Sequence, residues 1–308
     1  MKRFAPLLAI PLALALAAGA CSSSKSDPAP GGGEAEDAGA APVVGGARPA
    51  KLRVPSGYDP KKPAPLLLML HGYGTAGSLI DFYIKMTSIA DEKGFLYVAP
   101  DGTFDAGGKR FWNATDACCD YGKTNVDDVA YLVGLIEEIK RSYSVDPARI
   151  FVMGHSNGGF MANRLACDRA DVFAAAVSVS GANFADAARC KPSAPVGFLQ
   201  VHGTTDQTVL FAGEPGDGGL AGAYPGADAT VAIWADKNGC AKAPVVGQPI
   251  HVDPSKAGAE TKVTRHEGCT RNGAAELWAI EGAGHVFSYT PEALRATWEF
   301  LEAHAKSR

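Results

Sequence analysis

The residue best placed for nucleophilic chemistry is a serine flanked by glycines, in the run Gly154-His155-Ser156-Asn157-Gly158-Gly159. An apolar segment, residues 150–153, precedes the run, and a helical pattern follows it. A tight turn from strand to helix leaves no room for neighbouring Cβ atoms, and it lifts the serine hydroxyl above the edge of the sheet. The pattern therefore predicts Ser156 as a catalytic nucleophile; the alternative is a glycine-rich phosphate-binding or packing turn.

A serine hydroxyl is a weak nucleophile near neutral pH, so it needs a histidine base and an acid that orients the base, in the chain order Ser, acid, His. Asp206 follows the apolar segment 196–201, which places a carboxylate at the carboxyl end of a strand. We therefore predict Asp206 as the acid. The competing aspartates do not directly follow a strong strand; they are Asp186, Asp217 and Asp228.

Seven histidines compete for the role of base. Only His285 combines three features: it lies after Asp206, it follows an apolar strand at 277–280, and it stands in a glycine-rich loop. His285 is therefore the predicted base. His71 and His202 begin His-Gly turns and should bond to backbone. Three more candidates fit a surface position better; these are His251, His266 and His304.

Acyl transfer also needs donors for the developing oxyanion. The backbone N–H of Asn157 follows the nucleophile, and the loop His71-Gly72-Tyr73-Gly74 follows an early apolar strand. We predict the amides of Tyr73 and Asn157 as the oxyanion hole. The rings of Tyr73, Trp112 and Phe287 are candidates for an aromatic acyl pocket, although such rings are often part of the core.

The elements that must position these residues follow from hydrophobic patterning. Continuous apolar runs predict buried strands, and a 3.6-residue period over residues 126–143 predicts a helix capped by Asn125 or Asp127. The alternation indicates a mostly parallel central sheet with helices on both faces, in one domain over residues 51–308. The strand candidates are residues 66–70, 95–99, 150–153, 174–179 and 196–201.

The first fifty residues have a different composition. Lys2 and Arg3 precede a short apolar run, which predicts an export signal over residues 1–20. Cys21 follows Ala18-Gly19-Ala20, a run that resembles a bacterial lipobox, so we expect Cys21 to be lipidated; ordinary signal cleavage is the alternative. Residues 21–50 are rich in Pro, Gly and Ala, and they predict a flexible tether.

Charge and cysteine content narrow the classes of function. The net charge of −4 argues against nucleic acid as a binding partner. Lipidation of one of the seven cysteines leaves an even set, which suits disulfides in an exported chain. We predict a Cys240–Cys269 bond and leave open the connectivity of the other four; these are Cys118, Cys119, Cys167 and Cys190. No metal site is predicted, since paired Cys-x-x-Cys spacing is missing from the sequence.

A set of short motifs in fixed order resembles the polyhydroxybutyrate depolymerase/feruloyl esterase group of α/β-hydrolases, including its exported bacterial lipoproteins. The resemblance covers nearly all of the chain from Lys51 onward. It implies an α/β-hydrolase fold and a serine esterase that uses Ser156, Asp206 and His285. Val286-Phe287-Ser288 departs from the Trp-Pro pair that many members carry after the histidine. The motifs are His71-Gly72-Tyr73-Gly74, Ala99-Pro100-Asp101-Gly102-Thr103, Phe111-Trp112-Asn113-Ala114, Val126-Asp127-Asp128-Val129, the serine turn, His202-Gly203-Thr204-Thr205-Asp206 and Gly282-Ala283-Gly284-His285.

The sequence thus predicts an exported, membrane-anchored esterase that is monomeric and needs no cofactor. We expect it to act on small or oligomeric esters, either feruloyl or other aryl esters or short hydroxyalkanoates. Three alternatives stay open: a depolymerase that acts on solid polymer, a serine peptidase with the same triad, and a non-catalytic surface lipoprotein. Asp127 and Asp128 could form a carboxylate pair for glycoside hydrolysis, but helix capping explains them better.

Overall fold

The computed structural model describes residues 41–216 and 222–307 of the 308-residue chain. The predicted export signal, Cys21 and the tether up to residue 40 lie outside the described residues. No helix in the described ranges is long and apolar enough to cross a membrane.

The described residues form fourteen strands, six α-helices and two 3-10 helices. In chain order the strands are β1 (Val43–Val44), β2 (Ala50–Arg53), β3 (Ala64–Leu70), β4 (Leu96–Val98), β5 (Thr103–Phe104), β6 (Arg110–Phe111), β7 (Val145–His155), β8 (Ala175–Val179), β9 (Gly197–Gly203), β10 (Gly213–Glu214), β11 (Tyr224–Pro225), β12 (Val245–Val246), β13 (Thr261–His266) and β14 (Ala274–Ile280). The α-helices are α1 (Gly77–Ile80), α2 (Ala90–Lys93), α3 (Asp128–Ser142), α4 (Asn157–Asp168), α5 (Ala227–Lys237) and α6 (Pro291–Ala303), and the 3-10 helices are Met86–Ile89 and Ala187–Arg189.

A ten-stranded sheet is the centre of the described fold, in the order β1-β2-β4-β3-β7-β8-β9-β14-β13-β12. The six strands from β4 to β14 in this order pair in parallel, and the outer strands pair antiparallel. Every residue of β3, β8 and β9 is buried, as expected for strands covered on both faces. The predicted parallel sheet is confirmed.

Alternate side chains of β3 enter two separate cores. Leu66, Leu68 and Leu70 pack on one face with residues of α3, α4 and α5. Leu67 and Met69 pack on the other face, in the core that also contains Trp298 of α6. The helices therefore cover both faces, and the sheet is held as a rigid layer between two apolar cores.

The helix predicted over residues 126–143 is α3, and its cap is Asp127. The Asp127 side chain accepts a hydrogen bond from the Ala130 N–H at 2.9 Å. Asp128 is fully buried, bonds to Arg48 at 2.6 Å and accepts the Asn113 N–H at 2.8 Å. Burial raises the pKa of the Asp128 carboxyl, against the opposing effect of these hydrogen bonds. The two carboxylates thus have separate structural partners.

The fold begins earlier than the predicted boundary at residue 51. Val44 and Ala50 are buried, β1 pairs with β2, and β2 pairs with β4. Arg48 reaches across the chain to Asp128. The last part of the predicted tether, from β1 onward, therefore belongs to the sheet.

The structure joins Cys240 to Cys269, as the sequence predicts, and it pairs Cys118 with Cys119 and Cys167 with Cys190. The Cys240–Cys269 bond ties the chain after α5 to the turn between β13 and β14. It closes a loop in which the two cysteines are 29 residues apart.

We predict that the double substitution Cys240→Ser, Cys269→Ser lowers the free energy of unfolding by about 3–4 kcal/mol, because the unfolded chain regains the entropy of an open loop. Urea unfolding under non-reducing conditions measures the change. With all disulfides reduced, wild type and variant should unfold at the same urea concentration. Equal midpoints without reductant would contradict the prediction.

Candidate active site

Ser156 lies on the turn between β7 and α4, where its backbone adopts φ 56° and ψ −120°. A positive φ is rare for a residue with a side chain. The flanking glycines make the turn possible, since a Cβ at Gly154 would clash with the carbonyl of Gly158, and one at Gly158 with the carbonyl of Leu70. The Ser156 N–H donates to the Val179 carbonyl at 2.8 Å. The sequence therefore forms the strained strand-to-helix turn that was predicted.

The structure brings Ser156, Asp206 and His285 together. His285 Nε2 lies 2.9 Å from Ser156 Oγ, and His285 Nδ1 lies 2.7 Å from Asp206 Oδ2. Ser156 follows β7, Asp206 follows β9, and His285 follows β14, so all three come from the carboxyl edge of the parallel strands. The carboxylate accepts the Nδ1–H, which leaves Nε2 free to accept the serine proton.

Asp206 is buried and fully bonded. Its Oδ1 accepts the backbone N–H groups of Thr208 at 2.8 Å and Val209 at 3.0 Å. Burial opposes ionisation of this carboxyl, but the hydrogen bonds from His202 and His285 outweigh burial and keep the pKa of Asp206 well below its usual range. The Asp206 carboxylate is therefore charged at neutral pH.

The two histidines of the His-Gly turns bond to backbone, as expected. His71 Nε2 accepts the Gly102 N–H at 2.9 Å, and His71 Nδ1 lies 2.8 Å from the Gly72 carbonyl. His202 Nδ1 faces the Gln200 amide nitrogen at 3.1 Å, so the proton is on Nε2, which lies 2.8 Å from the Val209 carbonyl. The same Nε2 is 3.3 Å from Asp206 Oδ2. His202 thus also contacts the Asp206 carboxylate.

The two segments that carry the predicted oxyanion donors lie beside the nucleophile. The loop after β3 passes so close that a Cβ on Gly72 would lie 3.3 Å from the Ser156 Cβ, and Tyr73 is the next residue. Asn157 opens α4, and the first helical bond runs from the Phe160 N–H to the Ser156 carbonyl at 3.0 Å. The Asn157 N–H therefore precedes the helical ladder and is available to a ligand.

The Asn157 side chain fixes this corner of the site. Its Oδ1 accepts the Trp112 N–H at 2.7 Å, and its Nδ2 donates to the Trp112 carbonyl at 2.9 Å. The Trp112 indole N–H donates to the His71 carbonyl at 3.1 Å. This network connects the start of α4 to the loop after β3, which carries the second predicted donor.

Two of the three rings predicted to line an aromatic acyl pocket are buried in the structure. Trp112 is fully buried and therefore cannot line an open pocket, and Phe287 is only 6% exposed and packs against Tyr289. Tyr73 is partly exposed; its hydroxyl donates to Asp105 at 2.5 Å, which raises the pKa of Tyr73 to about 12. The Tyr73 ring meets the half-exposed ring of Tyr121 edge-on at 5.6 Å.

The loop that carries Tyr121 also lines a cavity of about 450 Å³. Its lining residues are Asn113, Thr115, Asp116, Cys118, Asp120, Tyr121, Lys123 and Asn125. Sequence reasoning did not find this cavity. Over the described ranges, no cluster of His, Cys, Asp and Glu side chains is arranged to hold a metal ion.

Sequence reasoning also missed the contacts of His155, the residue before the nucleophile. His155 Nε2 lies 2.8 Å from the backbone carbonyl of His285, and its Nδ1 lies 3.1 Å from the Tyr83 hydroxyl. Burial lowers the pKa of His155 from 6.5 to about 4. No local sequence pattern predicts these contacts, because the bonded residues are far apart in the chain.

Comparison with known proteins finds similarity to hydrolases. A family model described as the prolyl oligopeptidase family matches residues 81–189, which include Ser156 but end before Asp206 and His285. The chain is 30% identical to "Feruloyl esterase B" of Piromyces equi over 245 residues, which are 76% of this chain and 42% of that protein. It is 29% identical to "Feruloyl esterase C" of Emericella nidulans, over 82% of this chain and 83% of that protein.

Among solved structures, an acetyl xylan esterase from Aspergillus awamori superposes with a TM-score of 0.62 at 16% identity, over 86% of this chain and 100% of that chain. This similarity, together with the sheet order, confirms the predicted α/β-hydrolase fold. The chain spans less than half the length of the Piromyces relative but most of the Emericella one. At the level of enzyme class, the relatives confirm the prediction of a carboxylic ester hydrolase.

We predict that His155 makes the fold sensitive to mild acid. Its pKa of about 4 in the folded protein lies below the usual value of 6.5. As pH falls from 6.5 towards 4, the unfolded chain binds a proton that the folded chain excludes, so stability present above pH 6.5 is lost, by about 3 kcal/mol at most. Urea unfolding between pH 7 and pH 4 measures this loss.

The variant His155→Gln keeps a polar side chain but cannot titrate. Its unfolding free energy should fall less steeply over the same pH range, while the carboxylates common to both proteins contribute equally. Identical pH slopes for wild type and variant would contradict the prediction.

Proposed function

We propose that this protein is an exported serine esterase that hydrolyses aryl esters of the feruloyl type, through a Ser156–His285–Asp206 triad and an acyl-enzyme. One observation carries the proposal: an unbroken chain of hydrogen bonds from Ser156 Oγ through both nitrogens of His285 to Asp206. It is supported by the feruloyl esterase names of the relatives.

In the first half of the proposed reaction, Ser156 Oγ attacks the ester carbonyl as His285 Nε2 takes its proton. The charge that develops on the carbonyl oxygen is stabilised by the backbone N–H groups of Tyr73 and Asn157. His285 then returns the proton to the leaving alcohol, the bond from carbon to the alcohol oxygen breaks, and the acyl group remains on Ser156.

In the second half, water takes the place of the alcohol. His285 Nε2 accepts a proton from water as the water oxygen attacks the acyl carbon. It then returns that proton to Ser156 Oγ as the bond from the acyl carbon to Oγ breaks and the carboxylic acid leaves. Asp206 stays ionised throughout, because its hydrogen bonds stabilise the charged form. It holds His285 in the tautomer that leaves Nε2 unprotonated, and it stabilises the imidazolium that forms.

The aromatic surface beside the oxyanion loop supports an aryl substrate over an aliphatic hydroxyalkanoate. Tyr73 and Tyr121 meet edge-on beside the predicted oxyanion donor, and both are partly exposed. Aromatic rings gain about 0.5–1.5 kcal/mol from offset or edge contacts beyond area burial. We propose that the cavity of about 450 Å³ beside Tyr121 receives the alcohol or the substituents of the ring.

A second candidate, a serine peptidase, is favoured by the match of residues 81–189 to the prolyl oligopeptidase family. The triad geometry serves both reactions, since the two differ in protonation of the leaving group and in pocket shape. Comparison of an ester with its matched amide separates them.

We further propose that the mature protein is anchored to a membrane through lipid on Cys21 and works outside the cytoplasm. The three disulfides of the described region suit an oxidising compartment. We propose a monomer whose partners are its ester substrate and the membrane, with no nucleic acid and no cofactor.

Substitution of the triad should abolish turnover without loss of the fold. We expect Ser156→Ala, His285→Ala and Asp206→Asn each to lower kcat by about a thousandfold or more, with effects far from additive because the three side chains act as a unit. Hydrolysis of p-nitrophenyl acetate measures kcat, and circular dichroism confirms the fold. A folded Ser156→Ala protein that keeps most of its activity would rule out the assignment.

The substrate proposal predicts a rank order of kcat/KM. The kcat/KM for methyl ferulate should exceed that for a hydroxybutyrate oligomer, and also that for p-nitrophenyl acetate once the latter is corrected for its better leaving group. The matched feruloyl amide should be hydrolysed far more slowly. A polyhydroxybutyrate film provides the polymer comparison. Rapid clearing of the film with negligible turnover of the soluble esters would favour a depolymerase, and equal turnover of the amide would favour a peptidase.

The anchor is tested by Cys21→Ser in the full-length chain expressed in a bacterium with lipoprotein processing. Wild type should partition with membranes and carry a diacylated residue 21, whereas the variant should be unlipidated and released or unprocessed. Intact mass and membrane fractionation measure the two states. A soluble mature wild type with an unmodified Cys21 would indicate ordinary signal cleavage.

A further inference from the structure

The side chain of His155 turns away from solvent towards the loop that carries the base. It is 5% exposed and lies at the end of β7, directly before Ser156. Its Nε2 is 2.8 Å from the backbone carbonyl oxygen of His285. A carbonyl can only accept, so Nε2 carries the proton and donates it. The Ser180 hydroxyl donates to the same carbonyl at 3.2 Å.

Tyr83 completes the arrangement from the opposite side. Because a neutral imidazole has one donor and one acceptor nitrogen, Nδ1 of His155 accepts the Tyr83 hydroxyl at 3.1 Å. The two rings also pack edge-on at 5.1 Å. Burial raises the pKa of Tyr83 to about 12, so its hydroxyl remains a donor. The tautomer of His155 is thus fixed by its neighbours.

The loop before the base is bonded at Gly282 and Ala283, whose backbone groups contact Thr204 and Thr205, whereas at His285 the backbone carbonyl is held by His155 and Ser180. Two glycines, Gly282 and Gly284, precede the base, and Gly282 adopts a positive φ of 66°. Among the described residues, the His285 ring hydrogen-bonds to Asp206, which orients it, and to Ser156, which reacts with it. Beyond the base, the Tyr289 N–H donates to the Tyr83 carbonyl at 3.3 Å. Tyr83 therefore contacts this segment twice, once directly and once through His155.

We propose that His155 is a positioning residue: with Tyr83 behind it, it holds the backbone carbonyl of His285 so that Nε2 of the base faces Ser156. The role is additional to the triad and rests on the proposed function. It explains why a buried imidazole precedes the nucleophile although it has no part in proton transfer. A displacement of the base by about 1 Å can cost about a hundredfold in rate.

The test compares two substitutions at one position. His155→Leu removes the donor, whereas His155→Gln retains an amide N–H that can reach the same carbonyl. We expect His155→Leu to lower kcat about 10–100-fold with KM changed less than about twofold, and by the same factor for p-nitrophenyl acetate and methyl ferulate. His155→Gln should recover kcat to within about threefold of wild type.

His266→Leu is the matched control. His266 also bonds to a backbone carbonyl, that of Ala241 at 2.8 Å, but it lies at the end of β13, near the Cys240–Cys269 bond. Its substitution should leave kcat and KM unchanged. Unfolding curves of all variants separate a loss of folded protein from a loss of rate per folded molecule.

The proposal would be overturned if His155→Leu kept the kcat of wild type, or if His155→Gln were as slow as His155→Leu. If His155→Leu does not fold, Tyr83→Phe decides: it removes the bond to Nδ1 and should lower kcat about threefold or more at constant KM, and an unchanged kcat would overturn the proposal. Ser156→Ala keeps the two proposals apart. If that variant remains active the serine mechanism fails, whereas an inactive Ser156→Ala beside a fully active His155→Leu refutes only the positioning role.

Discussion

The hydrogen bond between Asp206 and His285 is the interaction on which the rest of the site depends. It exists because β9 and β14 are parallel neighbours whose ends lie side by side, with Gly203 paired to Ile280. The two loops beyond these ends approach so closely that a Cβ on Gly203 would clash with the carbonyl of Ala283. The core on both faces of the sheet fixes the strands, and the strands fix the distance between acid and base.

The charges around His285 are also set by hydrogen bonding and burial. The bonds to Asp206 keep its carboxyl ionised, while burial lowers the pKa of His155 and favours its uncharged form. A second cation beside His285 would oppose formation of the imidazolium during catalysis. The site therefore combines the buried Asp206 anion with a neutral His155, and in the described part of the chain the acceptor for the Ser156 proton is Nε2 of the base.

Much of this was predictable from sequence, because the strands are continuous apolar runs and the serine turn needs glycines at fixed spacing. The placement of Asp206 and His285 followed from the strands before them. The bond from His155 to His285 spans 130 residues and leaves no local pattern. For the same reason, the buried position of Trp112 could not be told from a pocket wall, and the pairing of β1 with β2 was hidden in a segment whose composition resembles a linker.

The central claim is that Ser156 is a nucleophile activated by His285, and covalent labelling tests it most directly. A fluorophosphonate ester phosphonylates an activated serine hydroxyl and expels fluoride. Peptide mass mapping should locate one phosphonyl group on Ser156 in the wild-type protein, at a rate that falls at least about a hundredfold in a folded His285→Ala variant. Label on another residue, or equal labelling rates in the two proteins, would contradict the account.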